Sequence, residues 1–377
     1  MALPITIPYT FANATSSIPL SNLDTDFTTV ANAINGIGNG TNALSNVTIS
    51  GGSITGDVSV SGNLTFTGGL VPASSFKRNR IINGNMLIDQ RNAGASVTVV
   101  GGGSFYYACD RFFLQSFGAS STAQRTAGSG SSQYQLQFNG ASGVTSQVVT
   151  QRIESANCFD LASQTATLSF STSNSLLTTL NYSVFVPTGG TDTWTSQSTV
   201  LSGSITINST MTRYAIQLAL PISVQSGMAV ALTVGSQISG TWVLQNIQLE
   251  VGTIATPYER QIYSDQLAQC QRYYYKLKAA TAYTSGGVGR AYSTTNCQAF
   301  VALPVSMRAA PTGSYSALAD WNDSGGGTPS AMDPINQYSA DYRWMTINLT
   351  GTYASGQAIA LNANNTTNAF IAWSAEL

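Results

Sequence analysis

Histidine is absent from the 377 residues, and charge is scarce. Lys and Arg number 15 and Asp and Glu 16, so charged residues make up 8% of the chain, against about 25% in ordinary soluble proteins. Without histidine there is no Ser-His-Asp or Cys-His nucleophile and no His-containing zinc site. Lysine occurs only at Lys77, Lys276 and Lys278, and the net charge is −1. The phosphate-neutralising surface that a nucleic-acid partner requires is therefore missing. Lys77, Arg78 and Arg80 form the one basic cluster, which reads as a solvated domain edge. Cys109, Cys158, Cys270 and Cys297 contain no CxxC pair and are expected mostly as buried thiols. There is no run of 18 apolar residues, so no membrane insertion is expected. The opening MALPITIPYT carries two prolines and no charged region, which does not read as a signal peptide. The expectation is a protein made in a cytoplasm and not exported by that route.

What the chain does have is apolar residues, at 43%, enough for a packed core. Its length suits two or three domains. Ser, Thr, Asn and Gln must carry solubility, a habit of extracellular or virion β-proteins.

Residues 1–19 are apolar, contain proline and read as a peptide that orders on docking. Then Leu20, Leu23, Phe27, Val30 and Ile34 recur at alternating spacings of three and four, an a/d helical stripe. Ser21 or Asn22 is a candidate cap, with Asp24 and Asp26 near the helix start. Two heptads are too short to be stable alone, so the stripe reads as association between chains rather than packing on its own domain. In LSNVTISGGSITGDVSVSGNLTFTGG, short alternating strands each carry two or three apolar residues between Gly-rich turns. Three intertwined copies could share one narrow core, and a monomeric hairpin stack is the alternative.

Over residues 77–260, runs such as RFFLQSF, YQLQFNG, TATLSFST, YSVFVP, SITINST, RYAIQLALP, MAVALTV and TWVLQNIQLEV predict short strands of a jelly-roll β-sandwich. A helix of roughly 15 residues is then expected within 261–279. Tyr263, Leu267, Cys270, Tyr274 and Leu277 repeat the stripe, Ser264 is a candidate cap, Asp265 lies in the first turn, and Lys276 and Lys278 lie in the last. It reads as a three-fold trimerisation bundle, with a linker helix packed on its own sandwich as the alternative. Residues 280–377 give further strands from CQAFVALPVSMRAAPTGSYSA, DYRWMTINLTG and NAFIAWSAEL. Between them, ALADWNDSGGGTPSAMDP predicts an exposed loop.

Five segments, RNRIINGNMLIDQRNAG, YACDRFFL, TQRIESANCFDLASQTATLSFSTS, NIQLEVGTIATPYERQIYSDQLAQCQRYYYK and LPVSMRAAPTGSYS, stand in that order over roughly 78–315. In these the chain resembles a widespread family of bacteriophage tail-fibre and related virion fibre proteins, which carry a jelly-roll domain similar to carbohydrate-binding modules. The QLE-x-G-x-x-A-T-P-Y-E and CQRYYYK runs are the most specific pieces. The resemblance implies a homotrimeric virion appendage with no catalysis and no cofactor. The expected fold class is mainly β: a virion-attachment peptide with a short coiled coil (1–40), a trimeric β stalk (41–76), the jelly roll (77–260), the trimerisation helix (261–279) and a receptor-facing β-rich domain (280–377).

The expected function is a phage fibre that recognises a host-surface receptor, a glycan by preference, and attaches to other virion proteins through its N-terminus. Sugar recognition calls for an aromatic face beside amides and carboxylates. Trp321 has that company in Asp320, Asn322 and Asp323, and Tyr342 and Trp344 are second candidates, set apart from the inward Met345, Ile347 and Leu349. Any one of these aromatics could instead serve packing or a trimer interface. A capsid or head fibre, or a structural tail component, would look much the same. A glycan-depolymerising tailspike would need two carboxylates across a cleft, and Asp320/Asp323 or Asp333/Asp341 are the available pairs. In YACDRFFL, Asp110 and Arg111 read as a structural ion pair in preference to a calcium site.

Overall fold

A computed structural model describes residue 17, residues 19–38 and residues 77–377 apart from residue 326. Residues 1–16 of the expected attachment peptide and the whole expected stalk, 41–76, lie outside the described residues. The chain divides into two compact units, Met1–Leu70 and Val71–Leu377.

In the first unit the predicted stripe is helical, α1 (Leu20–Gly38). The helix starts before Ser21, so Ser21 and Asn22 lie within its first turn and are not caps. Thr25, Thr28 and Thr29 instead turn their hydroxyls back onto carbonyls four residues earlier, at 2.7, 2.7 and 2.8 Å. The stripe is not buried within the chain: Leu20, Phe27 and Ile34 are 75%, 66% and 59% exposed.

The second unit is mainly β and opens with a sandwich. Its strands are β1 (Val97–Val99), β2 (Tyr106–Cys109), β3 (Phe112–Phe117), β4 (Ser121–Ala127), β5 (Tyr134–Asn139) and β6 (Ser146–Ile153). After a short turn of helix, α2 (Ser155–Cys158), come β7 (Thr165–Asn174), β8 (Thr179–Pro187), β9 (Gln197–Thr206), β10 (Thr212–Ala219), β11 (Met228–Val234) and β12 (Thr241–Val251). One sheet runs β1-β4-β5-β12-β7-β10 and the other β2-β3-β6-β11-β8-β9. The pairs β5·β12, β6·β11, β7·β10 and β8·β9 are nested and antiparallel. A long hairpin wrapped so that successive pairs fall alternately in the two sheets is a jelly roll. Period-two alternation turns Leu114, Val149, Leu168, Val184, Leu232 and Leu249 into one shared core.

The QLE-x-G-x-x-A-T-P-Y-E run locks the end of β12. Gln248 donates to Glu250 Oε1 at 2.8 Å, and its Oε1 accepts the Glu259 amide at 2.7 Å. Thr256 donates its amide and hydroxyl to Glu250 at 2.9 and 2.7 Å. Arg78 pairs with the same buried carboxylate at 3.3 Å, and Arg80 is bonded to Asp160 at 2.5 Å. The basic cluster is thus partly spent on tying residues 78–80 to the sandwich, which corrects its reading as a solvated edge.

The charged, aromatic segment after the sandwich is helical over only 9 residues, short of its expected length. α3 spans Tyr263–Gln271 and has no side-chain cap at its start, so Ser264 is not a cap. Then β13 (Tyr274–Lys278) begins, pairing along Ser374–Phe370. Consecutive tyrosines favour extended backbone, and a free strand edge is there to receive them. Tyr274 and Leu277 therefore leave the expected helical stripe, and Lys276 and Lys278 are strand residues. Cys270 is fully buried within the chain, Leu267 is half-buried, and of the five Tyr263 alone is largely exposed. A helical bundle through all five residues is excluded by this backbone.

The remaining strands are β14 (Ser285–Ala291), β15 (Asn296–Ala302), β16 (Thr312–Tyr315), β17 (Trp321–Asp323), β18 (Ala331–Tyr338), β19 (Trp344–Thr350), β20 (Ala358–Ala363) and β21 (Phe370–Ser374). A three-stranded sheet, β13-β21-β16, and a six-stranded one, β17-β20-β14-β15-β19-β18, enclose a second core. All four cysteines are free and buried.

Candidate functional site

The residue put forward first for receptor contact is in the second core. Trp321 is 1% exposed. The segment expected as a loop forms β17 here, with Trp321 opposite Ala363. Glycine at 286 makes the room: a Cβ there would stand 2.6 Å from the indole ring. Asp323 is buried too and accepts the Tyr353 hydroxyl at 2.9 Å. Asp320 and Asn322 are half-buried at its flanks. The cluster does not form an accessible sugar platform.

Tyr342 and Trp344 part company. Tyr342 is half-buried, adopts φ of 53°, and lies against Tyr338 with ring centroids 5.2 Å apart. Met345, Ile347 and Leu349 face inward as the alternation predicts. Trp344 is 40% exposed and meets Phe300, 47% exposed, edge-on at 6.2 Å.

The jelly roll carries a deeper feature on the outer face of its β2-β3-β6-β11-β8-β9 sheet. Along β11 the inward residues are Val230, Leu232 and Val234, so Ala229, Ala231 and Thr233 face out. Thr150 stands between Phe113 and Ala231, and Val148 between Gln115 and Thr233. Small side chains therefore floor the middle of the sheet. Large ones rise beside them: Phe113, Phe117 and, packed on Phe113 at 4.5 Å, Phe105 on one side. Phe185 and Trp194 stand on the other. The result is a groove of about 360 Å³ walled by aromatic rings, with Gln115, Ser196 and Gln197 as polar lining.

At the end of this groove sits Arg152, with its guanidinium carbon 4.8 Å from the Trp194 ring and 5.1 and 5.2 Å from Phe113 and Phe105. Burial lowers its pKa from the ordinary arginine value. Its Nη1 donates to the main-chain oxygen of Leu377, and its own carbonyl accepts Arg111 Nη2 at 2.7 Å. Arg111 stacks on Tyr273 at 3.4 Å and pairs with Glu376, which also receives Arg91 at 2.7 Å. Arg91 in turn lies over Tyr107 and Tyr274 at 4.0 and 3.7 Å. Tyr273 and Tyr274 of CQRYYYK are thus plates for arginines that hold the last strand's end against the sandwich. Asp110 does not pair with its neighbour Arg111. It accepts the Gln90 amide and Nε2 at 3.2 and 2.6 Å, and burial pushes its carboxyl up to about 6.

Trp194, Phe105 and Arg152 were not singled out by sequence reasoning. The available signal was the contrast between MAVALTV, whose outward residues are all small, and RFFLQSF, whose outward residues are bulky. That contrast acquires meaning only once the strands lie in one sheet.

No family model and no curated protein matches the chain. Solved structures do match in part. A CBM4 structure is 10% identical and pairs 45% of this chain with 98% of its own, at a TM-score of 0.30. The enzymatically active domain of bacteriophage CBA120 tailspike protein 4 is 16% identical over 46% of this chain and 22% of that one, also at 0.30. TmCBM61, solved in complex with beta-1,4-galactotriose, is 11% identical over 46% of this chain and 99% of that one, at 0.27. At such TM-scores the likeness carries no weight for function, and the residues of the groove must carry it.

Proposed function

We propose that this chain is a homotrimeric phage virion fibre that recognises a host-surface glycan without catalysis, and that the jelly-roll groove is its sugar-binding surface. The observation that carries the reading is the groove's construction, with small residues flooring it and Phe105, Phe185 and Trp194 walling it beside amides and hydroxyls. Rings offer a face to the C–H side of a sugar, and amides and hydroxyls satisfy its hydroxyls. Among the described residues no Asp or Glu lines the groove, which favours binding over a two-carboxylate hydrolysis. The exposed stripe of α1 supports assembly through that helix, since apolar residues at heptad spacing are stabilised by burial against other copies. Residues 1–40 attach to other virion proteins, and the Phe300–Trp344 pair is a second outward aromatic surface on residues 280–377.

The test is titration of the full chain with a panel of neutral and acidic oligosaccharides, repeated with Trp194→Ala and Phe105→Ala. Loss of at least about tenfold in affinity, as expected for removing a well-placed ring, with unchanged melting, supports the groove. Wild-type affinity in both variants removes it from consideration.

A further inference from the structure

The groove has an electrostatic asymmetry that a neutral sugar would leave unanswered. Among the described residues its one charged lining residue is Arg152, and no carboxylate lines it. Arg152 makes no ion pair with an Asp or Glu side chain among the described residues. Of the guanidinium's two edges, the Nη1 side is taken by the Leu377 oxygen. Nε is buried without an acceptor, and Nη2 makes no hydrogen bond to any described residue, so the whole Nε–Nη2 edge is unpaired. Trp194 Nε1, in the facing wall, is likewise buried without an acceptor. Glu376, whose charge acts on Arg152, is already bonded to Arg91 and Arg111. Arg152 Nε and Trp194 Nε1 are closed to solvent, so Nη2 is the part of this partly desolvated cation that a ligand in the aromatic slot can reach.

Leaving a partly desolvated cation unpaired is costly, and an acceptor on its reachable nitrogen offsets part of that cost. A carboxylate on a guanidinium N–H makes a charge-assisted bond, stronger than a neutral sugar hydroxyl provides. We infer that the groove selects acidic saccharides, with a uronic-acid-type carboxylate on Nη2 of Arg152 and the sugar ring against Trp194. This rests on the reading of the groove as a sugar site and adds the chemical class of its ligand. The Leu377 contact holds the guanidinium in place through Nη1, so Nη2 is presented by a fixed group.

The experiment compares uronic-acid oligosaccharides of the galacturonate, glucuronate and mannuronate types with their carboxyl-reduced, neutral counterparts, titrated into the full chain. The expected result is that at least one acid form binds about tenfold or more tightly than its neutral counterpart, the difference one charge-assisted pair supplies. That gap should narrow as salt rises and vanish in Arg152→Gln. Arg152→Lys keeps the charge but lacks the planar guanidinium, so it should recover part of the gap, and it serves where the glutamine variant does not fold. Neutral sugars binding as tightly as acids, and losing affinity in Trp194→Ala, would overturn the acidic preference and leave the glycan reading standing. An acid preference that survives Arg152→Gln would overturn the assignment to Arg152. If no acidic or neutral form binds, both readings fall.

Discussion

Arg111 and Glu376 form an ion pair across 265 positions of sequence, with the arginine side chain 2% exposed and resting on the Tyr273 ring. This contact joins the jelly roll to the last residues of the second sheet system. Arg308 reinforces it by donating to the Ala375 and Glu376 carbonyls at 2.9 and 3.2 Å, and Arg272 holds Glu154 through two bonds of 3.2 and 3.0 Å.

Removing the carboxylate should therefore destabilise more than an ordinary surface change. Glu376→Ala leaves the buried Arg111 without an anionic partner, and a broken buried pair costs about 3–5 kcal/mol. Urea unfolding of the variant against the parent measures this, and a difference under about 1 kcal/mol would show the pair to be idle.

Trp321 and Trp344 should respond in opposite ways. Trp321→Ala empties a fully buried site and is expected to cost about 3–5 kcal/mol, with sugar binding in the groove unaffected where the variant folds. Trp344→Ala removes a surface ring and should change stability by about 1 kcal/mol or less. Calorimetry on the two variants settles whether the core assignment is right, and reversed sensitivities would refute it.

Asp110 gives a pH signature of definite sign. Burial raises its folded pKa from 3.8 to about 6, so the folded chain binds its proton more tightly than the unfolded chain. Its favourable contribution is complete below about pH 4 and is lost as pH rises through about 6, a change on the order of 3 kcal/mol. Asp110→Asn cannot titrate. The stability of the parent relative to this variant should therefore fall between pH 4 and 6.5, as followed by melting temperature, and a flat difference would contradict the assignment.

Assembly is testable through α1. Phe27→Asp with Ile34→Asp places charge on two exposed stripe positions, and an unpaired charge at a packed seam is strongly disfavoured. Light scattering should report three chains for the parent and fewer for the variant. A parent that runs as a single chain at micromolar concentration would end the trimer reading.

The strands of the jelly roll were legible because period-two alternation and turn residues report local backbone directly, as in TATLSFST and MAVALTV. The helical stripe of α1 was legible for the same reason, at period 3.6. The CQRYYYK segment misled because Tyr274 and Leu277 fit a helical spacing that the chain does not use. Their strand state depends on β21, about a hundred residues away.

The amino-acid sequence by itself determined the β class, the uncharged polar surface, the exclusion of histidine chemistry and the strand character of the jelly-roll runs, since each follows from residue type or local period. Tertiary structure alone decided which aromatics are accessible. Trp321 is buried because Gly286, on the far side of β20, yields space for its ring, and Trp194 walls a groove because β3, β6, β11 and β8 lie side by side with small residues between large ones. Burial and concavity are properties of residues brought together from distant positions, so no local pattern could have announced them.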